Sequence, residues 1–249
     1  MRAVDAGKQK PLFIAGAYEF ISDDGHEHAL PQAYAPLVKA YDMLRYDAGV
    51  LSPAEAKNFA DMKIAGPQGW LTLEAKAPVV KMLTTNIGKV AVVFLPVGKK
   101  PGDGPTPDQE QAIARALKDA RSQARLVVGV SPWGVQAESD YLENAKPDLD
   151  VLLGSGSGVG FSAKPAQASR VLWMHTYSKG KAIYTVDLLA LPGEKGFKWE
   201  LGTNYLTQAV VLDDTYTPDQ AMTGLLADVP DPGDKKDAQE PGKQTGPAN

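Results

Sequence analysis

The chain of 249 residues has no cysteine, which excludes disulfides, thiolate metal sites and a cysteine nucleophile within it. It has no basic excess either: 26 lysines and arginines face 30 aspartates and glutamates, a net charge of −4. That balance gives no electrostatic footprint for nucleic acid or for acidic lipid headgroups. No apolar run approaches the length needed to cross a bilayer, so no transmembrane segment is expected. The opening MRAVDAGKQK-PLFIAGA makes a poor signal peptide, because Asp5 interrupts the basic region and Tyr18 and Glu19 soon end the apolar stretch. Either the protein is cytoplasmic or residue 1 is not the natural start. Histidine is scarce, at three.

Glycine (24) and proline (19) are plentiful, which implies many turns and long connections. The apolar PLFIA (11–15) suits a short buried strand, and the stretch from Ala29 to Tyr46 carries Leu37, Ala40, Tyr41 and Leu44 at helical spacing. YDAGVL follows as a second strand, and residues 54–62 form a helix with Pro53 at its first position. Residues 79–95 read as a hairpin turning at Asn86 and Gly88. Thr106, Pro107 and Gln109 make a capping box before a helix with Ile113, Leu117, Ala120 and Ala124 on one face, and KDARSQAR as its wet face. The same letters recur at Thr217 to Gln220, as repeated capping chemistry rather than duplication.

RLVVGVS (125–131), a helix near 136–145 and DVLLG (150–154) alternate strand, helix, strand, the signature of an α/β fold. Beyond residue 170, RVLWMHTY, KAIYTVDLLAL, FKWELG and YLTQAVVL suit successive strands. The polar segment 228–249 suits a disordered tail after a domain spanning 11–227.

Candidate chemistry is sparse. The loop after DVLLG has Gly154, Gly156, Gly158 and Gly160 in alternation, which meets neither GxGxxG nor GxxxxGK, so a strand-to-loop turn outweighs a phosphate cradle. A GxSxG elbow fails because Gly156 stands where the serine belongs. DDGHEH (23–28) places His26 and His28 among carboxylates that suit zinc or manganese, although such a polar cluster is more often solvated surface. His175 suits a hydrogen-bonded, half-buried position better than a catalytic one, and Trp133 and Trp173 suit the core.

Taken in order, PLFIAGAYEF, MLRYDAGVLSPAEAKNF, APVVKMLTTNIGKVAVVFLPV, LVVGVSPWGVQAE, DLDVLLGSGSG, VLWMHTYSKGKAIYTVDLLAL and VVLDDTYTPDQAMTGLL resemble the metallophosphoesterase domain of UshA-like 5′-nucleotidases. The resemblance implies an αββα sandwich over residues 11–227. In that family two divalent ions activate water and clamp the phosphoryl group, held by Asp, Asn and His at strand ends. At the matching positions the family's Gly-Asp is Gly16-Ala17, and its Gly-Asn-His-Glu is Ser52-Pro53-Ala54-Glu55. Its Ser-His is Ser131-Pro132, and its Gly-Gly-His-Thr-His is Gly154-Ser155-Gly156-Ser157-Gly158. Only Glu55 survives, and the strand carrying the family's first Asp-x-His motif has no counterpart.

The resemblance therefore implies a pseudoenzyme with no metal cofactor and a binding or scaffold role toward a small ligand or protein partner, in a periplasmic or exported setting. The loops bearing Ala17, Ser52 to Glu55, Ser131 to Trp133 and Ser155 to Phe161 would then line a persisting pocket. Two other functions stay open: an active phosphoesterase using manganese or zinc at a relocated site near His26 and His28, and a redox selenoprotein whose N-terminal segment is missing.

Overall fold

The computed structural model describes residues 10–21, 31–100, 102–176, 182–193 and 196–229. The cluster with His26 and His28 lies outside the described residues, as does all of the tail expectation except Asp228 and Val229.

A six-stranded sheet organises the chain, in the order β3-β4-β5-β6-β8-β7. Its strands are β3 (Val79–Thr85), β4 (Gly88–Phe94), β5 (Leu126–Ser131), β6 (Val151–Gly154), β7 (Phe161–Ala166) and β8 (Val171–His175). The β3–β4 hairpin forms as expected, with Gly88 at φ +107° supplying a backbone conformation that a side chain resists. β4, β5, β6 and β8 run parallel and central. Because both sheet faces are covered, β5 is buried at every residue, which is why it reads as an unbroken apolar run.

Side chains alternate between two cores. Val90, Val92, Phe94, Val128, Val130, Val151 and Leu172 enter one. Ala91, Val93, Val127, Leu152, Val171 and Trp173 enter the other, beneath the helices α3 (Pro107–Gln123) and α4 (Val135–Asn144). Over the first face lie β1 (Val50–Leu51) paired parallel with β2 (Leu71–Thr72), and the antiparallel pair β9 (Ala182–Leu188) and β10 (Tyr205–Val211). Val50 points into that core while Leu51 joins a third cluster with Phe20, Tyr34 and Phe59, under α1 (Tyr34–Leu44) and α2 (Pro53–Met62). The layering is α, β, β, α. Five helices in all, ending with α5 (Gln220–Leu226), are found among the described residues.

Several local expectations need correction. PLFIA makes only a bridge between Ile14 and Ala48, with Ala15 N–H donating to the Ala48 carbonyl. FKWELG is not a strand; Trp199 instead fills the core and its indole N–H donates to the Asp150 carbonyl. FSAKPA, a segment with no element expected, is a strand, β7, where an edge position tolerates Pro165. α5 is capped by Asp219, which accepts from Ala221 and Met222 N–H, rather than by Thr217. Arg121 leaves the wet face of α3 to make a two-pronged ion pair with buried Asp150, at 2.7 and 2.9 Å.

Candidate functional site

The sequence-predicted loops follow the C-terminal ends of β5 and β6 in the large sheet and of β1 in the small one. Ser52 caps α2: its hydroxyl accepts from Glu55 N–H at 3.2 Å while Glu55 accepts from Ser52 N–H at 2.7 Å. The same buried carboxylate accepts from Tyr18 N–H at 3.2 Å and Phe20 N–H at 2.8 Å. Glu55 is thus the anchor that holds the loop carrying Ala17, and it keeps Tyr18 at φ 74°. Pro53 and Ala54 are exposed on the first turn of α2.

The next two loops interlock through backbone. Ser155 donates from both its amide (2.9 Å) and its hydroxyl (3.0 Å) to the Ser131 carbonyl. Ser131 is fully buried and its hydroxyl accepts from Trp133 N–H. Val135 N–H, in the first turn of α4, donates to the Ser157 carbonyl, so that helix terminus is closed by the loop itself. Pro132 is buried, whereas Ser157 and Gly158 are exposed.

Three glycines are required by close approach. A Cβ on Gly16 would lie 2.4 Å from that of Ser155. On Gly156 it would lie 2.4 Å from Gly134 N and 2.6 Å from the Pro132 carbonyl. On Gly154 it would meet His175 Nδ1 at 2.1 Å and Glu138 Oε2 at 2.4 Å. These distances place backbone or buried side chains where a side chain would start.

Beneath the loop lies a polar cluster that the sequence reading missed. His175 is fully buried, not half-buried, and its Nε2 must be the donor to the Gly156 carbonyl at 2.9 Å. Its Nδ1 faces Glu138 Oε2 at 3.1 Å, and Trp173 Nε1–H donates to the same oxygen at 2.8 Å. Glu138 Oε1 has no hydrogen-bond partner among the described residues. The signal for Glu138 was present: it shares the helical stripe of Ala137, Tyr141 and Leu142, where a carboxylate needs a buried partner.

Chemically this arrangement is poor in free groups. The hydroxyls of Ser52, Ser131 and Ser155 are all engaged locally, and both nitrogens of His175 are occupied. Gly, Ala and Pro offer no side-chain donor, so the residues present do not fit a two-metal centre. Among the described residues no three His, Cys, Asp or Glu side chains converge. Two clefts among the described residues lie away from these loops, one between α3 and α4 and one at the end of α1.

No family model matches the chain, and no curated protein matches its sequence. Solved structures do match. One is a sulfate thiohydrolase, SoxB, from Thermus thermophilus in complex with glycerol, with a TM-score of 0.62, 15% identity, and coverage of 91% of this chain and 44% of that one. Another is a 5′-nucleotidase from Candida albicans, with a TM-score of 0.53, 11% identity, and coverage of 91% and 47%. The chain spans less than half the length of either neighbour. The fold is a metallophosphoesterase-like α/β sandwich.

Proposed function

We propose that this domain is a catalytically inactive relative of the 5′-nucleotidase metallophosphoesterases, of the UshA-like branch, that binds a small ligand or protein partner without a metal cofactor. The observation that carries this reading is the occupied space at Gly156 and Gly158, the positions of the family's two histidines: an added Cβ would lie 2.4 Å from Gly134 N and 2.6 Å from the Pro132 carbonyl at the first, and 2.4 Å from the Val135 side chain at the second. A histidine at 156 would run into the backbone of residues 132–134, and one at 158 would have to displace Val135 from a backbone held at φ +140°. Glu55, the one family residue retained, is consumed in holding backbone amides. The setting that accompanies the resemblance is a bacterial periplasm.

The test is metal content by mass spectrometry after incubation with manganese and zinc and then desalting. Retention below about a tenth of an equivalent is the expected result, since a genuine site survives desalting. Retention of about one equivalent or more would overturn the reading. A His26→Ala, His28→Ala double variant would then show whether those side chains supply the ligands.

A further inference from the structure

The cleft of about 180 Å³ at the end of α1 is lined by Tyr41, Asp42, Arg45, Tyr46, Gln68 and Trp70. It lies at the N-terminal ends of the parallel strands β1 and β2, whereas the Ser52 and Glu55 loop leaves β1 at its other end. It is therefore separate from the loops described above.

Three aromatic rings wall it. Trp70 meets Tyr46 at 85° and Tyr41 at 63°, with centroids 5.8 and 5.2 Å apart, and Tyr41 meets Tyr46 at 45°. Their positions are fixed from behind. Gly49 leaves room for the Trp70 indole, which a Cβ would approach at 2.4 Å, and Tyr41 donates its hydroxyl to Glu19 at 2.7 Å. The polar rim is uncommitted: the Arg45 guanidinium, the Gln68 side-chain amide, the Tyr46 hydroxyl and the second oxygen of Asp42 have no hydrogen-bond partner among the described residues. The first oxygen of Asp42 accepts from Gln68 N–H at 2.7 Å and sets the rim's shape.

We propose that this cleft binds a neutral, puckered, polyhydroxylated ring, of the pyranose sugar class. Its volume suits a single ring rather than a drug-sized ligand. Steeply inclined walls form a corner that takes the C–H edges of a puckered ring, whereas a flat base would find only one ring face to stack on. Asp42 and Arg45 bring one charge of each sign to the rim, so it carries no net charge that would select an ion. Carboxylate, guanidinium and amide together donate to and accept from neighbouring hydroxyls.

Trp70 gives the readout. The indole N–H groups of Trp133, Trp173 and Trp199 each donate to a protein acceptor, while that of Trp70 has none among the described residues. The experiment titrates the full chain with methyl glycosides of glucose, galactose and mannose and follows the indole resonances by NMR, with Trp70→Phe for assignment. A shift confined to Trp70, with a Kd of about 1–10 mM, is expected. Arg45→Ala and Asp42→Asn, both at exposed positions, each weaken it about tenfold. No shift with any glycoside overturns the proposal, as does an equal or larger shift with adenosine or choline, or glycoside binding indifferent to both rim variants. None of these outcomes bears on metal retention, so this proposal and the pseudoenzyme reading fail separately.

Discussion

At the scale of single residues, two carboxylates behave in opposite ways. Glu55 accepts three backbone N–H groups, one from its own helix cap and two from the loop at residues 18–20. Glu55→Ala strips those donors in a buried place and is expected to cost about 3 kcal/mol, read from urea unfolding. Glu19 accepts from the Tyr41 hydroxyl, and burial raises its pKa above the usual carboxylate range, against the lowering effect of that hydrogen bond. A carboxyl raised on folding adds stability that is full below its unfolded value and is lost as pH rises through the folded one. Glu19→Gln should therefore gain stability relative to the parent as pH rises above the ordinary carboxylate range, measured as a growing difference in midpoint. The cause also touches Tyr46, whose phenol is pushed up to about 12 by burial first and by Glu19 second. The positions of Gly154 and Gly156 were legible as glycines, yet the reason for them was not. That reason is the proximity of residues 16 to 24 positions away, which no local pattern encodes.

At the scale of elements, capping was the most readable signal and packing the least. Thr106 and Gln109 form the reciprocal cap foreseen from their spacing. Gln109 does more than that: its amide nitrogen donates to the carbonyls of Ala75 at 2.7 Å and Val97 at 2.8 Å. Gln109→Ala should cost about 2–3 kcal/mol, against about 1 kcal/mol for Thr106→Ala, with both compared by thermal unfolding. The β3–β4 hairpin and the α3, β5, α4, β6 run were readable because each has strong periodicity and its own caps. PLFIA and FKWELG misled because short apolar runs signal burial without saying how the backbone is paired. β7 was missed for the converse reason: Pro165 speaks against a strand unless the strand is known to be an edge.

At the scale of the whole molecule, the αββα order was accessible only through the resemblance in segment order, since no periodicity states which sheet a strand joins. The solved neighbours share that architecture at 15% and 11% identity, so it is kept while most of the sequence differs. The six-stranded sheet also has a property of sequence continuity. All its strands and both helices covering one face fall between Val79 and His175. The opposite face is covered by two pieces, one before that stretch and one after it. Assembly should follow this division. The contiguous stretch closes through short crossovers, whereas seating Gly16 on Ser155 requires closing a loop of well over a hundred residues. Pulse-labelled hydrogen exchange during refolding should protect β4, β5 and β6 before β1, β9 and β10. Simultaneous protection of all of them would mean that the covering layer is part of the nucleus. In the expected order, the sheet spends an interval with one apolar face bare, and it is then, rather than in the finished fold, that the chain is most exposed to association with its own kind.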